Sequence, residues 1–166
     1  MSKKLIWTIV AVVAVVAVAV IAVVFLKPKT EANVEGTLEE LMAKLYAGIP
    51  AENLPMLGQM PVDAESAEYY LGTSEVSFKE ALVSEPMIGS IPHSVVLVRL
   101  NDAKDADVAV AKIKENANPR KWICVTASNV VVESKGDLVV LIMSDAEATP
   151  VAEHLAPVLE TNFNNL

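Results

Sequence analysis

The chain has 166 residues, 13 basic and 21 acidic groups, a net charge of −8, one cysteine and a mean hydropathy of +0.42. These values exclude a disordered chain, a disulfide-stapled miniprotein and a nucleic-acid binder, which would need a basic face. Neither average is evenly spread. Residues 5–26 (LIWTIVAVVAVVAVAVIAVVFL) carry a single polar side chain, Thr8. Without them the apolar fraction is about 46–47 %, ordinary for a globular domain. Residues 1–29 hold four lysines and no acid, so residues 30–166 carry −12.

In chain order, the 22-residue apolar run comes first. As a helix it spans about 33 Å, matching a hydrocarbon core of about 30 Å. A single run of this kind can satisfy its backbone in lipid only as a helix. Lys3 and Lys4 flank one side, Lys27 and Lys29 the other, and Trp7 sits at an interfacial position. A cleaved signal peptide fits less well, because the one small-x-small pattern, Ala17-Val18-Ala19, lies inside the run. A lipoprotein would need a cysteine just after it, and the sole cysteine is Cys124. The expectation is an uncleaved signal-anchor over residues 1–26, in contact with the lipid bilayer through 5–26. The C-terminal domain is then placed outside the cytoplasm, on a single-pass cell-membrane protein.

Residues 27–36 (KPKTEANVEG) read as a linker, and residues 37–166 as one domain. Thr37 to Glu40 has capping-box spacing, and Leu38, Leu41, Met42 and Leu45 then recur at helical period up to Gly48 and Pro50. Residues 49–66 read as loop and Glu68–Leu71 as a short strand. Val76–Ser84 fits both periods and is read as a strand. Ser94–Leu100 (SVVLVRL) reads as a buried strand. Asp102–Asn118 is a helix with Asp102 as cap and Ala106, Val110, Ile113 and Ala117 on one face. Trp122–Thr126 is a strand or its lead-in. Val130–Glu133 and Leu138–Met143 form a hairpin about Ser134-Lys135-Gly136-Asp137. A final helix, about Thr149 to Thr161, bends at Pro157. This order predicts an α+β fold of two layers, an antiparallel-rich sheet with helices packed on one face.

Two segments share the pattern P-M-apolar-G-polar-apolar-P: Pro55–Pro61 and Pro86–Pro92. Their apolar members Met56, Leu57, Met60, Met87, Ile88 and Ile91 are candidate interaction residues. They form either an adaptable patch for a protein partner or the membrane surface, or two crossovers whose side chains cap the domain's own core, the commoner arrangement. Arg120, Lys121 and Trp122 are the basic-aromatic cluster. They suit an anionic ligand stacked on the indole, against the commoner case of a core tryptophan beside two solvated cations. His93 and His154 are too few for a zinc site and read as surface or structural. Cys124, after Ile123, reads as a small buried hydrophobe. Asp102, Asp105 and Asp107 fail the calcium-loop pattern, since Lys112 stands where the bidentate glutamate belongs. No phosphate loop, GxSxG, SxxK or HExxH pattern occurs. Neither catalytic residues, nor metal ligands, nor a cofactor site is therefore assigned.

The stretches SVVLVRLND (94–102), DVAVAKIKENAN (107–118) and ASNVVVESKGDLVVLIMSDA (127–146), with NPRKWICVT (118–126) between them, resemble a family of small uncharacterised domains. These are membrane-anchored or lipoprotein domains of Gram-positive bacteria. The resemblance covers about residues 76–160, and Gly136 matches the turn glycine. The lipobox cysteine of many members is missing here, so a helix would replace the lipid as tether. What the resemblance implies is a cell-surface location, with no functional residues to carry over. The reading is a membrane-tethered extracytoplasmic interaction or accessory module that is not an enzyme; the alternative is an extracytoplasmic small-molecule or ion-binding domain.

Overall fold

The computed structural model describes residues 33–145 and 155–166. The apolar run at 5–26 expected to be an anchor, most of the expected linker, His154 and the expected Thr149-Pro150 helix start lie outside the described residues. Among those described, no helix is long and apolar enough to cross a membrane. The class is α+β, with a five-stranded, wholly antiparallel sheet in the order β1-β2-β3-β5-β4. Its strands are β1 (Leu57–Pro61), β2 (Phe78–Pro86), β3 (Ser94–Leu100), β4 (Asn129–Lys135) and β5 (Leu138–Ser144). The helices are α1 (Leu38–Leu45), α2 (Ala67–Leu71), α3 (Ala106–Asn116) and α4 (Leu155–Asn164).

The helices cover both faces of the sheet, so the expected two layers are three. On one face Val96, Val98, Leu141 and Met143 pack with Ala67 and Leu71 of α2 and Ala106, Ala109 and Ile113 of α3. On the other, Val95, Leu97, Val140 and Ile142 pack with Leu38, Leu41, Met42 and Leu45 of α1 and Leu159 and Phe163 of α4. Every residue of β3 and β5 is buried. That is why SVVLVRL and LVVLIMS hold continuous apolar stretches, Val95–Val98 and Leu138–Met143, rather than alternating ones: side chains point alternately to two covered faces.

Several local expectations change. Residues 49–66 include β1, whose Gly- and Pro-containing sequence suits an edge strand better than a central one. Residues 67–71 are helical, not extended. Asp63 and Ser66 exchange backbone-to-side-chain hydrogen bonds at 3.0 and 2.9 Å to start that turn, and Gly72 closes it at φ 78°. The Thr37 capping box is present in full. The α3 region opens as a short 3-10 turn over Ala103–Asp105, with the Asp102 carboxylate accepting from the Lys104 N–H. Trp122–Thr126 forms no strand. Helix α4 runs unbroken through Pro157, which lies near its described start. There the Leu155 and Ala156 N–H groups are taken by the Asp145 carboxylate at 3.2 and 3.3 Å.

Arg99 fastens the chain's entry to this sheet. Its guanidinium donates to Glu80 Oε1 (2.9 Å), Asp137 Oδ2 (3.0 Å), the Val34 carbonyl (2.8 Å) and the Gly36 carbonyl (2.8 Å). Asp137 Oδ1 in turn accepts from the Val34 N–H at 3.1 Å. Only a planar fork with several N–H groups serves four acceptors in different directions. Arg99→Met leaves the buried Asp137 charge without its cation. The expected loss is about 3–5 kcal/mol in urea unfolding of the full chain in neutral detergent, and Arg99→Lys recovers little of it. At Gly72 a Cβ would lie 2.0 Å from the Asn116 carbonyl oxygen. Gly72→Ala therefore adds a backbone clash to the ordinary left-handed penalty and should cost more than about 2 kcal/mol, read as a fall in Tm.

Candidate functional site

The two proline-framed segments meet. Strands β1 and β2 pair without a break from Leu57↔Pro86 to Pro61↔Leu82, and just beyond them the Met87 N–H donates to the Met56 carbonyl at 2.9 Å. At the far end the Val62 N–H donates to the Ala81 carbonyl, also at 2.9 Å. Hydrogen-bonded pairs alternate along an antiparallel ladder. Gly58 and Met60 thus bond to β2, while Leu57, Gln59 and Pro61 turn their backbone groups to the free edge. Pro61 has no N–H to offer there, and neither has Pro55 just ahead of the strand.

Paired residues share a face, so Met60, opposite Val83, and Met56, beside Met87, project on the side covered by α2 and α3. The Met87 side chain lies over Gly58, with its Cγ 3.6 Å from where a Cβ would stand. Met56, Met87 and Ile88 are 74, 71 and 64 % exposed and Met60 46 %, so these four do not cap the core. Leu57 and Ile91 are half-buried.

Glu85 joins this edge to the basic-aromatic cluster. It stands opposite Gly58 and pairs with the Lys121 ammonium at 2.5 Å. The same ammonium donates to Ser94 Oγ at 3.1 Å. It also lies 5.1, 5.0 and 5.2 Å from the ring centres of Tyr69, Tyr70 and Trp122. The Lys121 side chain is only 3 % exposed. It is therefore not the solvated cation the sequence suggested: a carboxylate and three ring faces together repay its desolvation. Burial lowers the ammonium's pKa, and the Glu85 charge and hydrogen bond oppose that shift. Burial followed by the charge of Glu85 raises both tyrosines. Arg120 is exposed, and Trp122 packs half-buried against the α2–α3 core. Cys124 is exposed at φ 63°, against the expectation of a buried position. It follows the solvent-facing Ile123 in a connection outside the sheet, where no core can cover it.

Ser84, which precedes Glu85 in β2, and His93, just ahead of β3, point to the opposite face. His93 is buried and structural; its Nε2 contacts the Tyr46 hydroxyl at 2.9 Å and its Nδ1 the Ser144 hydroxyl at 2.8 Å. Burial pushes the Tyr46 phenol far up, with Ser84 opposing and Glu85 reinforcing. A serine, a histidine and a tyrosine in a row invite a nucleophilic reading. Ser144 and His93 are sealed from solvent, however, and no substrate reaches a hydroxyl without a surface. Sequence reading missed Tyr69, Tyr70, Glu85 and Ser94 because they come from three separate elements. The adjacent tyrosines were the one visible signal. A shallow cavity of about 160 Å³ between the segment leading into β2, the end of β3 and α3 is lined by Val76, Leu100, Val108 and Lys112 and contains none of the candidate residues. No group of three or more His, Cys, Asp or Glu side chains suits a metal among the described residues.

Burial lowers the His93 pKa from 6.5 to about 4. The unfolded chain thus binds a proton that the folded chain refuses between those values. Stability is full above pH 6.5 and falls as pH drops toward 4, by on the order of 3 kcal/mol. The difference in unfolding free energy between the wild type and His93→Gln, followed from pH 7 to pH 4, should show this slope in the wild type alone.

Comparison with known proteins finds no matching protein-family model, no curated relative and no solved structure.

Proposed function

We propose that the chain is a membrane-tethered extracytoplasmic interaction module, holding a protein partner through the methionine-rich ridge of the β1–β2 edge. One observation carries the reading: Met56, Met87 and Ile88 lie mostly in solvent and sit together at one end of the sheet, with the partly exposed Met60 on the same edge. Flexible, polarizable thioethers adapt to the shape of a partner's surface. Prolines at the free-edge positions make this strand a poor template for strand addition, so recognition runs through side chains. The apolar run 5–26 and its flanking lysines supply the anchor in this reading, and the −12 charge beyond residue 29 keeps the head soluble and off anionic surfaces.

The test is crosslinking of the full chain in its native membrane, comparing wild type with Met56→Ser, Met60→Ser, Met87→Ser and Ile88→Ser combined. The expected result is loss of the wild-type crosslinked species at unchanged Tm. Val108→Ser, an equally exposed apolar residue on α3, should retain it. A crosslink pattern untouched by the fourfold change, or lost equally with Val108→Ser, refutes the ridge as the contact. Protease shaving of intact cells tests the orientation: the domain should be cut without lysis.

A further inference from the structure

We propose that Tyr69, Tyr70, Trp122 and the Glu85 carboxylate form a binding site for an alkylated ammonium group, which the chain keeps closed with the side chain of Lys121. This goes beyond the ridge contact and does not depend on it. An ammonium that only fastened a connection to the sheet would need Glu85 and Ser94 and no more. Three aromatic faces at 5.0–5.2 Å are further attractive surfaces of the kind that selects cations. The two tyrosine rings meet edge to face at 85°, giving two perpendicular walls, with the indole as a third. Tyr69 is 53 % exposed, so the cage has one wall in solvent and a route in.

The present occupant suits the cage imperfectly. A primary ammonium is a compact, strongly hydrated charge with three donors, of which Glu85 and Ser94 engage two groups. Its burial is unfavourable enough to lower its pKa. A methylated ammonium holds its water less tightly and offers apolar surface to all three rings, so it loses less on entry. Release of Lys121 needs no refolding. Its backbone N–H is held by the Asn118 carbonyl at 3.3 Å and the Arg120 N–H by Asn118 Oδ1 at 3.0 Å. Rotation about the side chain's own bonds carries the ammonium to solvent while Trp122 keeps its place. The site is thus a cation receptor with an internal competitor. Its ligand carries a methylated ammonium either as a free small cation or on a macromolecule.

The experiment uses the full chain in neutral detergent with Trp7→Phe, which leaves Trp122 as the one indole. Trp122 emission is followed during titration with tetramethylammonium, n-butylammonium, n-butanol and a short trimethyllysine peptide. The proposal expects saturable binding of tetramethylammonium by wild type, tighter than n-butylammonium, with no response to n-butanol. It expects about tenfold tighter binding once Lys121→Ala removes the competitor. Should Lys121→Ala lose its native circular dichroism, Lys121→Met keeps the stem and serves instead. Tyr69→Ala should abolish the response. A peptide that binds more tightly than tetramethylammonium assigns a macromolecular ligand; the reverse assigns a free cation. Binding confined to the Lys121 variants would show a permanent fastening and overturn the proposal. So would a primary amine or n-butanol binding as well as tetramethylammonium, or no saturable response at all.

Discussion

With both faces of β3 and β5 covered, no polar side chain leaving these strands can reach bulk water. Each one must find a partner inside the protein, because an unpaired buried polar group costs more than a satisfied one returns. Three polar assemblies follow from this single constraint. Ser94 meets Lys121, His93 and Ser144 meet each other and Tyr46, and Arg99 meets Glu80 and Asp137. All three lie at strand ends, where sheet and helices give way to connections.

The period of two along a strand sends consecutive residues to opposite faces, and this distributes the assemblies. Ser84 and His93 serve the α1–α4 side, while Glu85 and Ser94 serve the α2–α3 side. Two neighbouring residues in β2 and two at the start of β3 thereby face two unrelated environments. One is a sealed relay that fixes the end of α1. The other is a cage that opens beside the exposed methionines. At the opposite end of β3, Arg99 binds the backbone at Val34 and Gly36 and fixes this segment to the central strand of the sheet.

The proposed ridge and the proposed cation cage share Glu85, which pairs with β1 through its backbone and with Lys121 through its side chain. The short β1 strand, a bare Gly58 and the overlying Met87 bring the ridge within one residue pair of the cage.

Much of the scaffold was legible in the residues. The Thr37 capping box, the five apolar residues of β3, the glycine hairpin at Gly136 and the amphipathic α3 are local signals, set by neighbours within a turn or by strand alternation. Elements that failed this reading were short or decided from afar. Five residues at 67–71 carry too little period to tell helix from strand, and β1 is held in register by β2 rather than by its own propensity. The apolar stretches of β3 and β5 were read as buried strands with helices on one face, and only helices placed from distant parts of the chain show covering on both. Lys121 illustrates the limit most clearly: its neighbours suggest a solvated charge, and only Tyr69, Glu85 and Ser94, from a helix and two strands, make it a buried one. By itself the sequence determined the apolar run at 5–26, the charge asymmetry, the α+β class and most local elements, because these depend on composition and near neighbours. Tertiary structure alone decided the third layer, the exposure of the methionines and the contents of the cage, because those depend on which surfaces remain after distant segments pack.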